Sequence, residues 1–380
     1  MMSFLDDDLL ARIHDRAAGY DRDNAFFTED LDELKAAGYL RALVPVDLGG
    51  AGLSLREAAH EQIRLAAAAP ATALAVNMHL VWTGIAKTLR DRGDDSLEFV
   101  LREAAAGEVF AFAISEAGND LVLFGSRTEA EPVAGGGYAF TGTKIFTSLS
   151  PAWTRLGLFG LDTVSDDAPK LVHAFVTRDT AGITILPDWD TIGMRASQSN
   201  STRLDHAVAT ADRIVRRLDP GPSADPLIFA IFANFEILVS AVYTGIGQRA
   251  LELAVAAAKG RRSARTGLSG DRNPNTRWKI ADAALAQDAL PPQLDALADD
   301  VDRLVDRGDQ WFRGLVGLKS RATRTARFVV DQAIAVAGGA VFSTSSELGR
   351  LYRDVVAGGF HPSNEDSVHQ TVATALLGPE

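Results

Sequence analysis

The chain predicts an α+β protein in three parts: an N-terminal helical domain, a central β-barrel or sandwich domain, and a C-terminal four-helix bundle. Three observations predict it. Residues 1–110 carry Ala, Leu and charged residues at helical spacing. Residues 111–212 turn to alternating patterns with more Gly, Thr, Val and Phe. Residues 213–380 return to long helical segments. A length of 380 residues suits several packed units better than one small core.

The elements follow in order. LDDDLLARIHDRAAGYDR is amphipathic. TEDLDELKAAGYL follows, with Thr28 as the expected N-cap and Gly38 as the expected C-cap. VPVDLGGAGLS is a loop, and its glycines Gly49, Gly50 and Gly52 read as a turn, because no lysine follows to make a phosphate cradle. Three further helical segments lead to about Val109. Met78 and His79 lie on one of them, and the default reading is core packing. YAFTGTKIFTS, TRLGLFGLDTV, LVHAFVTRD, GITILPDWD and RLDHAVATADRIV are short strands between turn residues. The last part begins with a very apolar helix, breaks at Pro291-Pro292, and ends in a helix whose first turn carries Glu365 and Asp366.

Charge and composition narrow the function. A formal charge of −12 argues against a nucleic-acid partner, which would need a basic face. The absence of cysteine removes disulfides, thiolate chemistry and cysteine metal sites, and no metal is expected. The acidic opening MMSFLDDDLL lacks the layout of a signal peptide, and no apolar run reads as membrane-spanning. The expectation is a cytoplasmic protein without membrane insertion.

Two apolar strand segments end in hydroxyl residues. FAFAIS ends at Ser115 and YAFTGTKIFTS at Ser148. Such an edge suits a flavin ring, which needs an apolar face beside backbone N–H and hydroxyl groups. Phe112, Ile114, Ser115, Phe146, Thr147 and Ser148 are therefore candidate cofactor contacts. Gly338 and Gly339 allow close backbone approach. Glu236 sits in the apolar FANFEILVSAV, where burial would raise its pKa toward that of a useful base, or where it would pair with a cation across the bundle. Arg195 and Arg203 flank QSNST and read as structural ion pairs.

Five pieces in order resemble the acyl-CoA dehydrogenase family over nearly the whole chain. LKAAGYLRALVPVDLGGAGLS is similar to its L-x-x-x-G…V-P-x-x-x-G-G-x-G. AISEAGND and GYAFTGTKIFTS are similar to its two flavin-wall segments, with Phe146 at the family's Trp and Ser148 at the Thr that bonds flavin N5. Gly193-Met194-Arg195-Ala196-Ser197 stands at its G-x-R-x-S, and AVAGGAVFSTSSELGRLYRD resembles the stretch that ends in R-D. The resemblance implies FAD between the β-domain and the bundle, a homodimer or homotetramer, and Arg261, Arg262 or Arg265 reaching a neighbour's cofactor phosphates. It implies α,β-desaturation of an acyl thioester, with hydride transfer to FAD and electrons passed to an acceptor.

The departures shape the alternatives. The family's glutamate nine residues past the final Arg is Pro362 here, and the minority position on the long helix is Phe235, with Glu236 next to it. Flavin monooxygenases of the same fold often carry a histidine near His361 and a serine at Ser148. That resemblance implies a two-component enzyme using reduced FMN, a flavin reductase and oxygen on some other small organic substrate. A non-catalytic flavin- or acyl-binding family member is the third reading.

Overall fold

The computed structural model describes residues 4–264 and 267–378, so Arg265 lies outside the described residues. The N-terminal part comprises α1 (Asp7–Asp23), α2 (Thr28–Ala36), α3 (Leu55–Ala68), α4 (Pro70–Asp91) and α5 (Glu98–Ala105). The starts of these helices follow local chemistry. Ser54 accepts from the Glu57 N–H while the Glu57 carboxylate accepts from the Ser54 N–H, a reciprocal cap at the head of α3. Thr28 is the first helical residue of α2 and not its cap, and no side chain caps that end.

The middle is one eight-stranded sheet: β1 (Phe110–Ala113), β2 (Glu129–Pro132), β3 (Tyr138–Lys144), β4 (Arg155–Asp162), β5 (Lys170–Thr177), β6 (Ile183–Ile185), β7 (Thr202–Ala209) and β8 (Ile214–Leu218). The order is β6-β7-β3-β2-β4-β5-β8, with β1 paired in parallel to β4. The sheet runs past residue 212, because β8 pairs with β5. β3 is shorter than the alternation predicts. It ends at Lys144, and Phe146–Ser148 leave the ladder to bond with the loop before β7.

The C-terminal part comprises α6 (Pro226–Gly260), α7 (Pro274–Asp288), α8 (Leu290–Asp302), α9 (Gln310–Ala337), α10 (Glu347–Val355) and α11 (Glu365–Leu377). Helices α6 to α9 pack together, with α10 and α11 laid against α9. The Pro291-Pro292 pair sits in the first turn of α8, where a missing N–H costs no helical bond. Asn364 caps α11, whose first turn carries Glu365 and Asp366 as the dipole favours.

Helix α6 corrects the expectation of no membrane-length run. It and the stretch Gln310–Phe342 are both long and apolar enough to cross a bilayer. For α6 the apolar window is 89% buried inside the molecule, so it is a core helix. It packs on α9 on one side and on α3 and α4 on the other, giving the first and last parts of the chain a common core.

All three parts meet at one point. Arg353 on α10 holds the Asp21 carboxylate of α1 at 2.5 and 2.9 Å and donates to the Ile192 carbonyl. The neighbouring Asp354 accepts from the Met194 N–H at 2.6 Å. Between them lies Gly193, where an added Cβ would stand 2.2 Å from the Arg353 carbonyl oxygen. Arg195 reaches back to the Asp21 carbonyl and to Asp190, the structural role expected of it.

Candidate active site

The candidate wall is built where β1 and β3 end side by side. The Ser115 carbonyl accepts from the Ile145 N–H at 2.9 Å and ties the two strand ends together. Beyond Lys144 the chain turns through left-handed backbone at Phe146 (φ 58°) and Leu149 (φ 65°). This turn pushes the Phe146 ring outward, 49% exposed, with Trp189 standing edge-on at 6.1 Å. Phe112 and Ile114 are buried behind the wall.

Of the two hydroxyls singled out from the sequence, Ser148 joins a cluster with two serines the sequence did not reveal. Ser148 Oγ lies 2.8 Å from Ser199 Oγ, which lies 2.7 Å from Ser197 Oγ, and all three residues are buried. The Thr147 N–H donates to the Asn200 carbonyl, while its Oγ1 is buried without a hydrogen-bond partner among the described residues. The signal for Ser197 and Ser199 was the Ser/Asn-rich run between Arg195 and Arg203.

A buried ion pair holds the wall from behind. Lys144 Nζ donates to Glu116 Oε1 at 2.5 Å and to the Phe159 carbonyl at 2.6 Å, and lies over the Phe159 ring at 4.4 Å. Glu116 also accepts from Ser126 Oγ, Thr128 Oγ1, Asn119 Nδ2 and the N–H groups of Arg127 and Thr128. Burial pushes the Glu116 carboxyl up, but the Lys144 charge and these donors outweigh it and hold it down at about 2. Burial brings Lys144 down to about 8 against the pull of Glu116.

A second cluster lies further along α6. Phe112 stacks on Phe235 at 5.7 Å, joining the wall to the helix. Glu236 turns away from that contact and accepts from Ser363 N–H and Oγ, at 3.3 and 2.8 Å. Its other oxygen is buried without a partner among the described residues. Burial pushes Glu236 up, opposed by the charge of Lys319 on α9. Lys319, which sequence reading passed over, donates to the carbonyls of Gly358, His361 and Ser363. His361 is half-buried, with Nε2 2.8 Å from the Tyr243 hydroxyl. Burial and then Lys319 push its imidazole down to about 3, so it is neutral near pH 7. Tyr243 is eight residues past Phe235, about 12 Å along the helix axis. The wall and His361 are thus carried by one helix without touching.

The remaining candidates lie elsewhere. At Gly338, which has φ 74°, an added Cβ would stand 2.9 Å from Arg261 Nη1, so the guanidinium packs over the glycine that follows α9. Gly339 has open space above it. His79 is fully buried, with Nε2 2.7 Å from the Leu40 carbonyl and Nδ1 accepting from the Phe110 N–H. It is a satisfied core histidine.

Comparison with known proteins places this architecture. The description "Acyl-CoA dehydrogenase, N-terminal domain" matches residues 6–108, and "Acyl-CoA dehydrogenase, C-terminal domain" matches residues 237–365. L-evernosamine nitrososynthase of Micromonospora sp. is 31% identical over 370 residues, covering 93% of this chain and 85% of that protein. The chain belongs to the acyl-CoA dehydrogenase family. Isobutylamine N-hydroxylase of Streptomyces viridifaciens is 28% identical over 349 residues, covering 89% of this chain and 86% of that one. Among solved structures, KijD3 in complex with FMN and dTDP-3-amino-2,3,6-trideoxy-4-keto-3-methyl-D-glucose superposes with a TM-score of 0.87 at 28% identity. It covers 98% of this chain and 92% of that chain. Pro362, at the position where the sequence resemblance expects a glutamate, precedes Ser363, which holds Glu236.

Proposed function

We propose that this protein is a flavin-dependent N-oxygenase acting on a small primary amine. The observation that carries the reading is chain-long similarity to a nitrososynthase and an amine N-hydroxylase. Pro362 in place of the usual base weighs against the acyl-thioester desaturation expected from the family at large.

The residues present fit a flavin. The exposed Phe146 ring would supply the flat apolar face, and Thr147 Oγ1, which lacks a partner among the described residues, and Ser148 Oγ, now bonded to Ser199, would supply hydrogen bonds at its rim. FMN is the form we favour, with FAD the alternative, and Arg261 beside Gly338 would meet its phosphate. Reduced flavin, when bound, supplies two electrons, so that one atom of oxygen joins the amine nitrogen and the other leaves as water. A separate flavin reductase would deliver it.

The protein's own part is positioning. The neutral His361, with a pKa held near 3, is a poor proton acceptor and a good hydrogen-bond partner. In this reading it orients the amine, which must be unprotonated to react, and the buried Tyr243 holds its ring. The exposed Trp278, Leu285, Phe328 and Phe342 support a homo-oligomer, because such apolar side chains on α7, α9 and the turn after it suit a second copy.

The test supplies FMN, NADH, a flavin reductase and labelled dioxygen, with a panel of alkylamines and nucleotide-linked amino sugars. Labelled hydroxylamine or nitroso product supports the reading. No amine-dependent incorporation, together with anaerobic bleaching of bound flavin by an acyl-CoA, returns the chain to desaturation. Failure of both, with no flavin affinity, leaves a non-catalytic family member.

A further inference from the structure

We propose that Lys319 and Glu236 are positioning residues that clamp the segment 358–363 from inside the bundle and so set where the His361 ring stands. The kinetic arm of this proposal rests on the N-oxygenase reading, while its spectroscopic arm does not.

An ammonium has three donors. Lys319 directs them at three carbonyls of one short segment, those of Gly358, His361 and Ser363, at 3.0, 3.0 and 2.8 Å. Glu236 takes the N–H and hydroxyl of Ser363 from the neighbouring helix. The segment between α10 and α11 is therefore gripped by the Lys319 ammonium from α9 and the Glu236 carboxyl from α6. Both are buried, Lys319 at 2% and Glu236 at 1% exposure.

The grip fixes the ring. Gly358 lies against Tyr243 and Thr323, where an added Cβ would stand 2.8 and 2.9 Å from their side chains. The Tyr243 hydroxyl then meets His361 Nε2. An apolar pair could not hold three loop carbonyls, an N–H and a hydroxyl. Facing His361 are the Tyr243 hydroxyl on α6 and the Lys319 charge on α9, while Glu236 on α6 bonds Ser363 and Asp354 on α10 acts on Tyr243.

The test begins with Lys319→Met in the flavin-free protein. Imidazole nitrogen resonances are followed by NMR against pH, with His361 assigned from His361→Asn. The expected result is a folded protein in which His361 titrates about one unit or more above wild type, because the ammonium and the grip are both gone. An unchanged titration overturns the proposal. Where Lys319→Met does not fold, Lys319→Gln, which keeps an amide donor, carries the same measurement.

In turnover, Lys319→Met is expected to lower kcat about 100-fold with little change in KM, the effect of a misplaced group. Glu236→Gln separates positioning from base chemistry. Its amide oxygen still accepts from Ser363, so activity should stay within about tenfold of wild type. A loss of about a thousandfold would make Glu236 a base and overturn its assignment. A wild-type protein that oxidises no amine would defeat the N-oxygenase reading and leave the NMR result to decide the clamp.

Discussion

Lys144→Met should unfold the wall from behind. Lys144 is fully buried, and its ammonium is the one cation within bonding reach of Glu116 among the described residues. Removing one partner of a buried pair costs about 3–5 kcal/mol, because the other charge is left without its counter-charge. The lower end applies to Lys144→Met, since Glu116 keeps five other donors from Asn119, Ser126, Arg127 and Thr128. The upper end applies to Glu116→Gln, which strands the ammonium against the Phe159 carbonyl and sets an amide NH2 against backbone donors. The double variant should cost less than the sum, with a coupling of about 1–3 kcal/mol. Urea unfolding followed by circular dichroism measures all three. The pH dependence gives a second check. The Glu116 pKa is depressed from 4.5 to about 2, so its stabilisation is complete above 4.5 and lost as pH falls toward 2. Glu116→Gln should remove that acid-side slope. Single variants within about 1 kcal/mol of wild type would refute the reasoning.

Three further outcomes are expected. His173 is buried against Phe159 with both ring nitrogens unpartnered among the described residues, and burial holds its pKa down at about 3. Its contribution is present above the ordinary 6.5 and lost as pH falls toward 3, so His173→Phe should flatten the fall in stability by up to about 1.4 kcal/mol per pH unit, read from urea midpoints. Phe146→Ala should weaken FMN binding about tenfold or more by fluorescence titration, with the melting temperature little changed because the ring is half exposed. Gly193→Ala should destabilise by about 1–3 kcal/mol, since its Cβ would collide with the Arg353 carbonyl; an unchanged melting temperature would count against the tight junction.

The three-part fold was legible because hydrophobic period changes from 3.6 to 2 and back along the chain. The pattern marks Ser115 and Ser148 as strand ends, but β1 stops at Ala113 and β3 at Lys144, so both hydroxyls sit in the chain that follows the strands. What stayed hidden is non-local. β1 pairs with β4 across more than forty residues of chain, and no turn signal marks a parallel pair. Lys144 lies on the inward phase of β3 with Phe140, and a lysine there signals a buried acid, but not which one. Lys319 follows the apolar GLVGL with nothing in sequence to name its partners, and only the folded loop shows its three acceptors. The turn at Phe146 was missed because alternation continues through residues that have already left the sheet.

The junction at Arg353 binds Asp21, Ile192 and, through Asp354, Met194 within a few ångströms. It works as a keystone set in three arches. Chimaeras with relatives that swap one part alone would break it, whereas grafts that carry residues 21, 190–195 and 350–354 together should stand. Large hinge opening between the parts would have to break this junction first.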